Sequence, residues 1–143
     1  MMEFILDLWD EKYIKDIAFY ANNKKISDNL RNVFPYPYTY KDAQEYVVTC
    51  VQNDESRQTC RAIVMGGKAV GSIGVFQKDD VYSRSGELGY WLGEEFWCKG
   101  IMTCAIKQLC TTAFEKLDII RIFAEPFAHN MGSRKALEKA GLF

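Results

Sequence analysis

The chain of 143 residues holds one histidine and no C-x-x-C pair, and each shortage removes a class of function. A lone imidazole, His129, cannot build a histidine-rich metal site. The five cysteines (Cys50, Cys60, Cys98, Cys104, Cys110) are odd in number and lack the paired spacing of a zinc site or a disulfide framework. No metal is therefore expected, and free thiols suit a reducing cytoplasm. A formal net charge of −1 gives no overall positive field to draw nucleic acid or an anionic membrane, so neither is an expected partner. Met1–Asp7 has no basic start, and Asp7 cuts its apolar run short of signal-peptide length. No stretch approaches the ~18 apolar residues of a membrane span. What is present is a globular composition, 48% hydrophobic and 14% aromatic, enough for one domain over residues 1–143 with a real core.

Periodicity gives an ordered α/β reading. Phe4–Leu8 is a short strand, and Asp10 caps a helix over Glu11–Ala21, with Ile14, Ile17, Ala18 and Ala21 as its apolar stripe. A second helix is expected over Lys25–Arg31. Phe34–Tyr38 is extended, because each proline disfavours helix at the residue before it. Thr39 caps a third helix over Lys41–Val51. Strands follow at Thr59–Met65 and Ala69–Gln77, joined by the tight turn Gly66-Gly67-Lys68. Ile119–Glu125 is a later strand ended by Pro126, and Ser133–Ala140 a last helix stopped by Gly141.

The segment Gly86–Ala105, GELGYWLGEEFWCKGIMTCA, carries the most information. Leu88, Tyr90 and Leu92 fall on one face of a strand and Glu87, Gly89 and Trp91 on the other. A helix then reads Ile101/Met102, Ala105/Ile106, Leu109/Cys110, Ala113/Phe114 and Leu117, one apolar stripe at spacings of three and four. Between strand and helix, residues 96–101 offer no Ser, Thr, Asp or Asn to cap the first turn. Its N–H groups need an acceptor, and a bound anion supplies one.

This arrangement resembles the acetyl-CoA site of the GNAT superfamily of N-acetyltransferases, and is most similar to the Rim-type ribosomal-protein N-acetyltransferase branch, where a "GYWL" strand leads into "WGKG" and a helix. Here those residues stand as Gly89-Tyr90-Trp91-Leu92 and Trp97-Cys98-Lys99-Gly100. The superfamily's looser Q/R-x-x-G-x-G/A maps to Trp97-x-x-Gly100-x-Met102, which keeps only the central glycine. A second block, Asn130 to Phe143, is similar to "N-x-x-S-x-x-x-L-E-K-x-G-F" and lies in the right order about 30 residues on. The resemblance implies an α/β GNAT fold with a mixed, mostly antiparallel central sheet flanked by helices. It also implies that the strand with "GYWL" carries a bulge and splays from the next, Glu87–Gly93 from Ile119–Glu125, so that pantetheine lies between them.

The cofactor expectations follow from that resemblance. The backbone N–H groups of Cys98, Lys99, Gly100, Ile101, Met102 and Thr103 would hold the pyrophosphate of acetyl-CoA at the positive end of a helix dipole. A Cβ at Gly100 would keep the phosphates away. A backbone N–H near Trp91 or Leu92 would stabilise the oxyanion formed at the thioester carbonyl. Asn130 would bond the pantetheine amides or cap the last helix. An amine arrives mostly as an ammonium, so a base must take a proton before attack. Glu87 is the first candidate, with Glu94 and Glu95 next or serving to attract a cation to the pocket mouth. Many relatives protonate the leaving thiolate from a tyrosine near the last helix. No tyrosine follows Tyr90, which leaves Ser133 for that role or for a helix cap.

Other features have simpler readings. Gly66-Gly67-Lys68 lacks the first glycine and the Ser/Thr of a phosphate loop, with Ala62 and Ala69 in their places, and reads as a hairpin turn. Gly71-x-x-Gly74 lies inside a strand, without the strand–turn–helix setting of a dinucleotide site. His129 is by type a candidate general base but reads first as a surface or capping group, and Cys98, whose thiol pKa a helix start could lower, reads first as a backbone contributor. Tyr36, Tyr38, Tyr40 and Tyr46 form either a substrate-site wall or plain packing.

The combined expectation is an acetyl-CoA-dependent N-acetyltransferase acting on a primary amine, foremost a protein or peptide N-terminus. The alternatives are a small-molecule amine acceptor, such as a polyamine or amino-sugar antibiotic, and a catalytically weak CoA-binding sensor module. Family members continue past "E-K-x-G-F" with further strands, so the domain is expected to be C-terminally short. It would then be either truncated or covered at its Ile119–Glu125 edge by a homodimer partner.

Overall fold

A computed structural model describes residues 3–28, 36–52, 58–77, 84–97, 100–117 and 119–123. Its sheet runs β1 (Ile5–Asp7), β2 (Gln58–Met65), β3 (Lys68–Gln77), β4 (Ser85–Leu92) and β5 (Arg121–Phe123), in that spatial order. Neighbours from β1 to β4 are antiparallel, and β4 with β5 is parallel, giving the mixed, mostly antiparallel sheet that was expected. The helices are α1 (Ile14–Tyr20), α2 (Lys24–Asp28), α3 (Tyr40–Gln52) and α4 (Ile101–Lys116), with short 3-10 turns at Glu11–Tyr13 and Glu94–Phe96.

The alternation of each strand sorts its side chains between two cores. Ile63, Val70, Ile73, Val75, Leu88 and Leu92 face α4, whose Ile101, Ala105, Ile106, Leu109 and Ala113 complete one cluster. Ala62, Val64, Ala69 and Trp91 point the other way and meet Trp9, Tyr13, Ile14, Ile17, Ala43 and Val47 from the α1–α3 layer. Ile106 and Leu109 are fully buried, so truncating either to alanine would cost about 2–5 kcal/mol.

Local chemistry sets the boundaries. Asp10 accepts from the Lys12 N–H at 2.8 Å, but the turn it starts is 3-10 over Glu11–Tyr13, and α-helix begins only at Ile14. Thr39 and Asp42 cap α3 reciprocally: the Asp42 N–H donates to Thr39 Oγ1 (3.2 Å), while the Thr39 N–H and hydroxyl both donate to Asp42 Oδ2 (2.9 Å each). These bonds hold the Asp42 carboxyl below its usual range. Gly66 and Gly67 have φ of 58° and 81°, the pair of positive values of a type I′ turn, and Lys68 already pairs with Met65 in the strands. The Tyr36–Pro37 peptide is cis. The expected helix over Ser133–Ala140, the residues Asn29–Pro35 and the end of the Ile119–Glu125 strand lie outside the described residues.

One expectation needs correction. The register shift among the described pairs lies at Ile63/Val64 in β2, whereas β3 and β4 pair without interruption from Gly71↔Leu92 to Gln77↔Gly86. The bulge expected in β4 is thus absent from its β3 side. Of the four tyrosines, Tyr38 is buried and Tyr46 half-buried in the α1–α3 layer, while Tyr36 and Tyr40 are exposed.

Candidate active site

The site begins where β4 turns into α4. Gly93 leaves β4 by donating its N–H to the Val70 carbonyl at 2.8 Å, and there is no room for a side chain. A Cβ on Gly93 would stand 2.9 Å from Tyr20 Cδ1 and 3.3 Å from the Val70 carbonyl oxygen. Tyr20 and Phe96 meet edge to face at 5.7 Å between centroids, which clasps the turn to α1. Glu94 clasps it to α2, accepting from Asn23 Nδ2 at 2.9 Å and from Lys25 Nζ at 2.8 Å. These two donors hold the Glu94 carboxyl below its usual range.

The same bond at Gly93 settles the direction of the β4 backbone. Antiparallel ladders alternate, so with Gly93 bonded to Val70, Trp91 and Gly89 turn their peptide groups toward β3. Leu92, Tyr90 and Leu88 turn theirs to the β5 side. There β5 meets β4 only at Ser85↔Arg121, Gly86↔Ile122 and Glu87↔Phe123. Among the described residues, the strand pairs of Leu88–Leu92 are with β3. Of the two positions expected near a thioester carbonyl, the amide of Leu92 faces this side and that of Trp91 does not. The Leu92 carbonyl accepts from Trp97 Nε1 at 2.7 Å, a bond that no sequence pattern signals.

Gly100 then starts α4 at φ 77° and ψ 0°, a left-handed conformation, and among the described residues no side chain caps the helix. Among the described residues, apart from its own chain neighbours and helix backbone, nothing lies within 4 Å of where its Cβ would be. The first intrahelical bond is Cys104 N–H to the Gly100 carbonyl at 3.3 Å, so the amides of Ile101, Met102 and Thr103 precede the ladder. Ile101 is buried against the α4 core and fixes the turn, with Met102 and Thr103 half-buried beside it. An uncapped helix start with open space over its glycine fits a phosphate group. Cys98, Lys99, Asn130 and Ser133 lie outside the described residues.

The three carboxylates part company. Glu94 is committed to Asn23 and Lys25, and Glu95 is exposed beside Tyr20, whose phenol is pushed up mainly by burial and then by that carboxylate. Glu87 is half-buried on the sheet itself, cross-strand from Phe76 and on the Trp91 face. Nearby on that face, Tyr46 and Ser72 share a hydrogen bond of 2.6 Å, and burial raises the Tyr46 phenol well above its ordinary range. Among the described residues, no group of three His, Cys, Asp or Glu side chains gathers as for a metal ion. No described helix is long and apolar enough to cross a membrane.

A mixed sheet with one parallel pair beside a glycine-started helix defines an acyl-CoA-type transferase fold. Residues 3–142 match the family described as "Acetyltransferase (GNAT) domain", and the chain belongs to it. It is 37% identical over 79 residues to "Putative ribosomal N-acetyltransferase YdaF" of Bacillus subtilis (strain 168), a stretch covering 55% of this chain and 43% of that protein. It is 35% identical over 74 residues to "Probable N-acetyltransferase YjcK" of the same organism, covering 52% of this chain and 41% of that one. The matched stretches thus span less than half of either relative. Among solved structures, the ribosomal-protein-S5-alanine acetyltransferase from Vibrio fischeri superposes with a TM-score of 0.82 at 20% identity, covering 99% of this chain and 80% of that one.

Proposed function

We propose that the chain transfers an acetyl group from acetyl-CoA to a primary amine, by direct attack within a ternary complex, and that the amine is a protein or peptide N-terminus. The observation that carries this reading is Gly100, held left-handed at an uncapped helix start directly after a strand that turns its Leu92 amide to the β5 side. The acceptor class rests on the 37% identical relative, which is named as a ribosomal N-acetyltransferase.

In this reading the amides from Cys98 to Thr103 hold the pyrophosphate, and Gly100 gives the phosphate an unobstructed approach. The Leu92 N–H donates to the oxygen of the thioester carbonyl as negative charge develops there, a contribution worth ~10²–10³ in rate. Glu87 takes a proton from the acceptor ammonium, directly or through water, and the freed nitrogen lone pair forms the new C–N bond. The C–S bond then breaks as the nitrogen gives up its second proton, which passes through Ser133 or water to the departing thiolate. Asn130 holds the pantetheine amides.

The test is free-thiol release from acetyl-CoA by the purified chain, read across peptides with a free α-amine, polyamines and amino sugars. Release with peptides and not with the small amines is the expected result. Release with the small amines alone would move the acceptor to that class. Binding of acetyl-CoA without release on any amine would establish the sensor instead.

A further inference from the structure

On the Trp91 face of the sheet, β3 and β4 meet at a pair of glycines. Gly74 lies directly opposite Gly89, and one step along the ladder Phe76 lies opposite Glu87. The glycines are used. A Cβ built on Gly74 would stand 3.1 Å from Phe76 Cζ and 2.9 Å from Cys60 Sγ, and one on Gly89 would stand 3.6 Å from Phe76 Cε2. The Phe76 ring therefore lies back along the two bare backbones. Ile73 and Val75, on the opposite face of the same strand, are buried under α4. Phe76 instead keeps 39% of its surface exposed, and Gly89 beneath it is exposed as well.

The consequence is an aromatic surface and a carboxylate side by side on one cross-strand pair. Glu87 is half-buried on the same face, and Gln58 pairs with Phe76 from β2, so the row reads amide, ring, carboxylate. A ring face attracts a cation through its quadrupole, and a neighbouring carboxylate attracts it through its charge. Together they suit a small ammonium group and offer little to a neutral or anionic one.

We propose that Phe76 positions the acceptor: its ring, bedded on Gly74 and Gly89, and the Glu87 carboxylate form a cradle for the ammonium of the incoming amine. The inference deepens the acetyltransferase reading and rests on it, since it places the acceptor on the face opposite α4. The ring holds the amine while it is charged. Once Glu87 has taken the proton the cation–π attraction ends, and the neutral nitrogen is released for attack.

The experiment compares the parent chain with Phe76→Leu and Phe76→Tyr, using a lysine-free hexapeptide amide with a free α-amine and its N-acetylated twin. Phe76→Leu keeps apolar bulk and loses the ring face. It is expected to raise the peptide KM about 5- to 30-fold while the KM for acetyl-CoA and kcat change less than about twofold; Phe76→Tyr restores the parent values. An unchanged peptide KM in Phe76→Leu, or an equal rise in both KM values, overturns the cradle and leaves the acetyltransferase reading standing. A second measurement needs no turnover. The Phe76 ring resonances, followed by NMR, are expected to move on addition of n-butylammonium and to stay with n-butanol. If no amine releases thiol yet the ring responds to the ammonium alone, the cradle stands and the reading falls. Equal responses to both probes overturn the cradle.

Discussion

Trp97 donates its indole N–H to the carbonyl of Leu92 at 2.7 Å, and so ties the loop before α4 to the last residue of β4. The indole also packs against both cores. The two halves of the proposed cofactor site, the strand that faces the thioester and the helix start that faces the phosphates, are joined through this one side chain. Trp97→Phe keeps an aromatic ring and removes the donor. The expected cost is about 1 kcal/mol, or a fall of about 2–4 °C in Tm, accompanied by weaker acetyl-CoA binding in calorimetry. Full stability with unchanged affinity would show that the strand and the helix start are held together without it.

Gly100 separates two demands that the sequence alone presents as one. Its positive φ disfavours any side chain, and its open surroundings mean that a larger residue strains the backbone without striking a neighbour. Gly100→Asn, a residue that tolerates the left-handed region, is expected to fold with nearly the parent Tm. Gly100→Glu is expected to lose about 1–2 kcal/mol and all thermal stabilisation by acetyl-CoA, because its carboxylate points at the phosphate position. Equal stabilisation of parent and Gly100→Glu by acetyl-CoA would remove the phosphate site from this turn.

The legible parts of the chain were those with a strong period. The alternation of Leu88, Tyr90 and Leu92 and the stripe from Ile101 to Leu117 are set by local geometry, and both elements stand where the pattern puts them. The 3-10 opening at Glu11–Tyr13 was not legible, because Asp10 caps either kind of turn equally well. Register was hidden too. That Leu92 and not Trp91 turns its amide outward depends on the Gly93–Val70 bond between two strands, and the Phe76 ring finds its bed only because Gly74 and Gly89 fall opposite one another. Glu94 and Glu95 looked alike in the sequence, and the α1–α2 corner distinguishes them by supplying Asn23 and Lys25 to one of them.

That distinction makes the base assignment testable by contrast. Glu87→Gln is expected to lower kcat by ~10²–10⁴ and to remove the acidic limb of the pH–rate profile, with acetyl-CoA affinity little changed. Glu94→Gln, which loosens the tie to α2 while leaving the sheet intact, is expected to keep the limb. A profile that survives Glu87→Gln and is lost in Glu94→Gln would exchange their roles.

Tyr13 gives the fold a pH signature at the alkaline end. Its hydroxyl donates to Asp7 of β1, and burial, then that bond, then the charges of Asp7, Asp10 and Asp16 push the phenol from 10.0 up to about 12. A phenol raised in the folded state binds its proton more tightly there than in the unfolded chain. Its contribution to stability is therefore complete below pH 10 and is lost as pH rises toward 12. Urea midpoints of parent and Tyr13→Phe are expected to differ at about pH 8 and to converge only as pH rises from 10 toward 12. Tyr38 and Tyr46, raised mainly by burial, bend both curves alike and cancel in the difference. A gap that stays constant across that range would mean the phenol is not raised.

Thr59 sits fully buried on β2, opposite Val75, and its Oγ1 has no hydrogen-bond partner among the described residues. Strand alternation puts it on the face of Ile63, toward α4, where its methyl suits the surroundings and its hydroxyl does not. An unpaired buried hydroxyl costs free energy that a methyl of the same shape would not. Thr59→Val is expected to stabilise the chain by about 1 kcal/mol and raise Tm by about 2–4 °C. Thr59→Ser keeps the hydroxyl and gives up the methyl, so it is expected to shift Tm the opposite way by a similar amount. If Thr59→Val is instead the destabilising member of the pair, the hydroxyl is bonded in the folded protein, and the β2–α4 interface has a polar contact that its apolar pattern does not suggest.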